Sequence, residues 1–306
     1  MRLALIFNKD RAGTTGLYFE RACRLLGIPH DHWWLRDVER IPAEYDAYLR
    51  IDHGDDYTVP LPARLRPAVF YAIDTHLPHS WRKIRRSAEA YDLVACCHRD
   101  GAERLRDALW IPVACDWELH GVSRSSPVYD IGFVGTDGGV PRKFYLQALR
   151  ERYPNSFIGA ADYTQLASVY GCARIGFNYS IRNDVNMRMF EVMAGGALLV
   201  TNALADDDLS RLGLEDRRHL VLYRNPKQLF EVMEEFLLRE EQRRMVAAAG
   251  TLLVKQRHTY VHRLRALLAS MEERLHLTLF GGNQEENVPR PPSPVSERCM
   301  TVRSDG

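Results

Sequence analysis

Short apolar runs alternate with amphipathic stretches along most of the chain, the pattern of parallel strands joined by helices. Residues 3–7 are apolar and predict a first strand. A loop with Gly13, Thr14, Thr15 and Gly16 follows, then an amphipathic helix over 17–26 that Gly27 stops. The next strands are predicted at 31–35, 46–51, 68–73, 91–97 and 110–114, with helices over 81–90 and 98–108. Residues 116–127 carry Gly, Ser and Pro with little periodicity and predict a domain junction. The pattern then restarts with a strand at 129–135, a Gly-rich loop at 136–143 and a helix to Tyr153. Strands follow at 155–160, 173–178, 197–201 and 220–223, with a helix over 163–171 and a short helix ending near Glu191. From Pro226 onward the pattern is helical, over 227–238, 240–250, 251–259 and 261–275. Residues 280–306, with Pro289-Arg-Pro-Pro-Ser-Pro294, predict a loosely attached or disordered tail.

The second half thus begins as the first does, with strand, Gly-containing loop and helix. A length of 306 residues suits two domains of roughly 150 each. Hydrophobic content of 46% and charged content of 26% belong to an ordinary globular chain. The formal net charge of +1 gives no large field, so a nucleic-acid partner is not expected. Six cysteines without a C-x-x-C pair predict reduced, mostly buried thiols and a cytoplasmic location. The apolar run at the N-terminus is too short for a signal peptide, and no 18-residue apolar run predicts a membrane span.

Candidate chemistry gathers at loops after strands, where open α/β sheets bind ligands. Asp74, His76 and His79 follow the strand at 68–73, so Asp74 and His76 are candidate bases or hydroxyl anchors. The competing reading has Asp74 capping a turn and His79 on the surface. Gly13, Thr14 and Thr15 form a candidate phosphate or acceptor loop, although the G-x-G-x-x-G fingerprint is absent. Gly135, Gly138 and Gly139 allow close backbone approach, and Arg142 and Lys143 can reach a phosphate. The stretch Asn186-Met-Arg-Met-Phe-Glu191 opens a helix whose free N–H groups and positive dipole end suit a phosphate, with Arg188 beside them. Glu191, one turn further in, can accept hydrogen bonds from sugar hydroxyls. Asp206-Asp-Asp208 reads as charge at a helix N-terminus rather than a metal site.

Gly132-Phe-Val-Gly135, Asn186-Met-Arg-Met-Phe-Glu191 and His258-Thr-Tyr-Val-His-Arg263 occur in that order. With them the chain resembles the glycosyltransferase family 1-like group that includes the CgeB spore-maturation proteins, most closely over 129–268. The resemblance implies the GT-B fold: two Rossmann-like, doubly wound domains facing across a cleft, followed by C-terminal helices. It implies an acceptor domain over 1–118, a donor domain over 128–260, a helix at 261–279 packing back toward the first domain, and the tail at 280–306. It implies transfer of a sugar from a nucleotide sugar, UDP-linked by how common that donor is, to an unknown acceptor, without a metal or other cofactor. Glu191 would hold the ribose, and Arg188, Arg142 and Lys143 the diphosphate. The backbone of Asn186, Met187 and Met189 would face phosphate and sugar, with Gly135, Thr136, Tyr179 and Asn183 completing the donor set. The wider retaining superfamily often carries E-x7-E ending at the position of Glu191. Here Asn183 stands eight residues earlier, and it cannot ionise. An epimerase on the same scaffold, or a non-catalytic nucleotide-sugar binder, are the competing functions.

Overall fold

The computed structural model describes residues 1–10, 13–52, 59–121, 126–204 and 207–277; Asp206 and the tail over 280–306 lie outside them. The first sheet contains β1 (Leu3–Ile6), β2 (His30–Trp33), β3 (Ala47–Ile51), β4 (Ala68–Ala72), β5 (Leu93–Cys96) and β6 (Leu109–Trp110). The second contains β7 (Tyr129–Val134), β8 (Ser156–Gly159), β9 (Ala173–Asn178), β10 (Leu198–Asn202) and β11 (Val221–Tyr223). Their orders are β2-β1-β3-β4-β5-β6 and β11-β10-β9-β7-β8, and every pairing is parallel. Parallel strands need covering helices on both faces, so β1, β3, β4 and β5 are buried along their whole length.

Those helices are α1 (Thr15–Leu25), α2 (Pro78–Ala88) and α3 (Arg99–Arg104) in the first half, with α4 (Trp117–His120) at the junction. The second half adds α5 (Arg142–Arg152), α6 (Leu166–Gly171), α7 (Met187–Gly195), α8 (Asp208–Arg211), α9 (Pro226–Leu238), α10 (Glu240–Arg257) and α11 (Tyr260–Leu275). The two α/β domains are those of the GT-B fold.

Two elements differ from the sequence reading. The helices predicted at 240–250 and 251–259 are one, α10, because Gly250 is a packing site and not a stop. A Cβ there would sit 2.3 Å from the His219 carbonyl oxygen. The strand predicted at 110–114 shrinks to the two residues of β6. Pro112 has no N–H to give a ladder. The Pro112 and Val113 carbonyls turn instead to Arg263 of α11, whose Nε donates to Pro112 at 2.7 Å and Nη2 to Val113 at 3.3 Å.

That contact belongs to a seam in which α11 packs on the first domain. Tyr260, 1% exposed, stacks on Tyr18 with ring centroids 5.1 Å apart and meets Phe19 edge-on at 5.4 Å. Arg99 of α3 pairs with Asp208 of α8 at 2.6 Å across the two domains. The aspartate cluster predicted to charge a helix N-terminus thus contributes Asp208, the first residue of α8, and that carboxylate also ties the domains together.

His258 closes the same seam. Arg263 Nη2 donates to His258 Nδ1 at 2.9 Å, and an arginine cannot accept. The imidazole proton is therefore on Nε2, which donates to the Leu212 carbonyl at 2.8 Å. Burial first, and the Arg263 charge next, push His258 down to about 3. The folded chain keeps this ring neutral, while the unfolded chain binds a proton below about 6.5. Stability should therefore fall as pH drops from about 6.5 toward 3, by up to about 1.4 kcal/mol per pH unit from this group. Urea midpoints measured between pH 7.5 and 4.5 check this. His258→Asn should flatten the slope, and an unchanged slope would move the cause elsewhere.

Candidate active site

The carboxyl ends of β4, β5, β7, β9 and β10 lead into one region between the domains. On the C-terminal side the loop after β9 is held by amides and hydroxyls. Asn178 Nδ2 donates to Ser180 Oγ at 3.1 Å and to Thr201 Oγ1 at 2.9 Å. Asn202 Oδ1 accepts from the Ser180 N–H at 2.6 Å, and Asn202 Nδ2 donates to the Ser180 carbonyl at 3.0 Å. Arg182 and Asn183 follow, both left-handed at φ 56° and 59°. Such backbone costs energy in non-glycine residues and persists where its surroundings fix it. Here Asn202 Nδ2 also reaches Asn183 Oδ1 at 3.4 Å.

The loop delivers the chain to α7. Asn186 occupies the N-cap position, but its side chain turns away to donate to Ser180 Oγ at 3.2 Å and makes no cap. The first-turn N–H groups of α7 consequently have no side-chain acceptor, which leaves the positive end of the helix open to an anion. Arg188 lies in this turn. Its Nε donates to the Val134 carbonyl at 3.0 Å, its Nη1 to Asn178 Oδ1 at 3.1 Å, and the guanidinium covers the Phe133 ring at 4.5 Å.

Arg142, at the start of α5, folds back under the preceding loop. Its Nε donates to the Asp137 carbonyl at 3.2 Å, and it approaches the same Phe133 ring at 6.0 Å. Only glycine permits this at Gly138, where φ is +61° and a Cβ would stand 1.6 Å from Arg142 Nη2. Burial first, and the Arg188 charge next, lower the Arg142 guanidinium from its usual range. Among the described residues neither Arg142 nor Arg188 forms an ion pair with a carboxylate. Two like charges held together without a counter-ion make a site for an anion.

Glu191 lies one turn beyond Arg188 and is 9% exposed. Its carboxylate accepts no hydrogen bond from the described residues. Its charge reaches α1, where burial first and Glu191 next raise the Tyr18 hydroxyl.

On the N-terminal side, Asp74 and His76 follow β4. Burial first, and the Asp52 charge next, raise the Asp74 carboxyl. Burial first, and His98 next, push His76 down to about 4, so its ring is neutral at neutral pH. The His76 and His98 ring centroids are 4.0 Å apart, and His98 Nε2 lies 3.8 Å from Asp184 Oδ2 across the cleft.

The other residues read from the sequence divide. A Cβ at Gly135 would stand 2.6 Å from Arg188 Nη2, and Asn183 lies in the strained loop. Met187 Sδ accepts from the Tyr260 hydroxyl at 3.1 Å, and Met189 is fully buried. Thr136 and Lys143 are exposed, and Lys143 makes no polar side-chain contact among the described residues. Tyr179 packs on Tyr145 at 5.4 Å. Thr14 Oγ1 accepts from Leu17 N at 3.4 Å and caps α1, while Thr15 shares a hydrogen bond with Tyr260. Gly13 lies against Tyr163 of the second domain. His79 is exposed at the start of α2. His98, Asp184, Asn178, Ser180 and Asn202 were not singled out in the sequence. His98 had a signal, since it directly follows the strand predicted at 91–97.

Residues 119–269 match a family described as glycosyl transferase-like. No curated protein matches in sequence. Among solved structures, HepE of Anabaena in complex with UDP superposes with a TM-score of 0.62 at 13% identity, over 89% of this chain and 100% of that one. T4 phage BGT in complex with its UDP-glucose substrate gives 0.61 at 13% identity, over 90% and 100%. Sucrose-phosphate synthase from Thermosynechococcus elongatus gives 0.61 at 11% identity, over 90% and 99%. The chain has the GT-B fold, and the glycosyl transferase-like match spans its residues 119–269.

Proposed function

We propose that this protein transfers a sugar from a UDP-linked donor to an acceptor hydroxyl. The observation that carries the reading is the Arg142–Arg188 pair, two guanidinium groups that form no ion pair among the described residues, at the open start of α7. A departing diphosphate develops negative charge, and pre-oriented cations and helix N–H groups stabilise it as it forms. This arrangement neutralises the diphosphate without a metal. Glu191, a carboxylate with no donor among the described residues, accepts from the ribose hydroxyls. Gly135, Thr136 and the backbone of Asn186, Met187 and Met189 line the donor, and Asn183 bonds the sugar. The UDP and UDP-glucose held by the structural neighbours HepE and T4 phage BGT support a uridine donor.

Asp74 and His76 stand on the opposite wall, where an acceptor hydroxyl must lose its proton. The motifs ending in Glu191 and running from His258 to Arg263 support kinship with the group that includes the CgeB proteins. The same resemblance favours retention at the anomeric carbon, which the anomer of the product reports. Residues 1–118 serve as acceptor domain and 128–260 as donor domain, with 261–279 packing back on the first.

A thermal-shift screen of nucleotide sugars tests the donor, because a ligand that binds only the folded chain raises the midpoint. UDP-sugars should raise it and other nucleotide series should not. Glu191→Ala should abolish the heat of UDP binding in calorimetry. Asp74→Asn should instead slow transfer and leave that heat intact. Unchanged UDP affinity in Glu191→Ala would remove the ribose assignment.

A further inference from the structure

We propose that His76, His98 and Asp184 form a binding site for a divalent transition cation, zinc foremost, that joins the two domains across the cleft. One donor atom from each residue lies within 4.8 Å of the other two. Two imidazoles and one carboxylate are a common three-ligand set for zinc, leaving a fourth position for water or substrate oxygen. Ligand atoms around a tetrahedral zinc stand about 3.4 Å apart. The pair that spans the domains, His98 Nε2 and Asp184 Oδ2, is already at 3.8 Å.

The hydrogen bonding around the cluster points the same way. His76 Nδ1 and Asp184 Oδ1 are buried and have no hydrogen-bond partner among the described residues. Buried polar atoms are rarely left so, and a cation is one group that completes them. His98 is oriented from behind, with Nδ1 3.3 Å from Thr75 Oγ1 and 3.0 Å from Cys97 Sγ. That leaves Nε2 directed at Asp184, the arrangement in which outer partners orient a metal-bound imidazole. Both histidines follow strands of the first domain and Asp184 follows β9 of the second, so neither domain holds the full set. With the cation bound His76 is a ligand, and the proton of an incoming hydroxyl falls to Asp74. None of the three ligands is among the residues assigned to the donor, so the two assignments are tested separately.

The test is calorimetric titration of zinc chloride into chelator-treated full-length protein. The wild type should bind one ion per chain. His98→Gln and Asp184→Asn should each weaken binding by at least about tenfold, the loss that outer-shell partners alone can cause. His79→Ala should bind as the wild type does. Circular dichroism and the thermal midpoint establish that each variant is folded. Absence of binding by the stripped wild type, or binding that survives both His98→Gln and Asp184→Asn in folded protein, overturns the proposal. A UDP-sugar thermal shift that persists in that case leaves the donor assignment standing.

Discussion

Arg188→Ala should lower the rate of sugar transfer by about a hundred- to a thousand-fold, the loss seen when one pre-oriented donor to a developing oxyanion is removed. The side chain is fixed before substrate arrives. Its Nε and Nη1 are committed to the Val134 carbonyl and Asn178 Oδ1, and Phe133 lies beneath it. The remaining N–H groups need no reorganisation to meet a phosphate oxygen. That loss in rate corresponds to about 2.7–4 kcal/mol of transition-state stabilisation. Arg188→Lys should rescue little, because one ammonium nitrogen cannot span the two anchors that Nε and Nη1 reach separately and still face the phosphate. Steady-state kinetics with a UDP-sugar, beside urea unfolding of the same variant, decide the matter. If activity falls only in step with stability, Arg188 is structural and the diphosphate lies elsewhere.

Tyr260→Ala should destabilise the folded chain by about 3–5 kcal/mol, the usual result of removing a fully buried aromatic ring. The ring fills space between Tyr18 and Phe19, and its hydroxyl is shared between Thr15 and Met187 Sδ. The partners come from both domains, so the residual cavity would open at the seam. Urea denaturation followed by far-ultraviolet circular dichroism, which reports the helices of both domains, should show the midpoint falling. It should also show the single transition splitting in two as the domains lose their coupling. Tyr260→Phe, which keeps the ring, should cost about 1 kcal/mol. A small loss in Tyr260→Ala with one retained transition would mean that α11 is not what couples the domains.

The layered architecture was legible because parallel strands are written as uninterrupted apolar runs. Leu3–Ile6, Ala68–Ala72 and Leu93–Cys96 have no polar face to hide. The start of α7 was legible for a local reason, since Asn186 directly precedes the apolar run from Met187. What could not be read was any contact closed by the tertiary fold. Gly250 has the composition of a helix stop, and only the nearby His219 carbonyl explains its place inside α10. Thr15 reads as a free hydroxyl beside glycines until Tyr260, far along the chain, is brought against it. Asp184 gave no signal because its partners, His76 and His98, belong to the other domain. Arg142 and Lys143 are adjacent and equally basic, yet the helix turns one into the cluster and the other to solvent.

The chain crosses between its domains twice, near Cys115 and near His258, and the crossings are bound to each other. The Cys115 N–H donates to the His258 carbonyl at 3.3 Å, and the Tyr260 N–H donates to the Cys115 carbonyl at 3.0 Å. The two passages thus form a single pin, and any rotation of one domain on the other must swing about it like a door. A swing leaves Arg142, Arg188 and Glu191 fixed relative to one another, because all three ride on the same leaf. It changes the separation of His98 from Asp184 and of Arg99 from Asp208, which ride on different leaves. The two guanidinium groups can therefore keep their arrangement with the door ajar, whereas the histidine–aspartate cluster assembles only when it shuts.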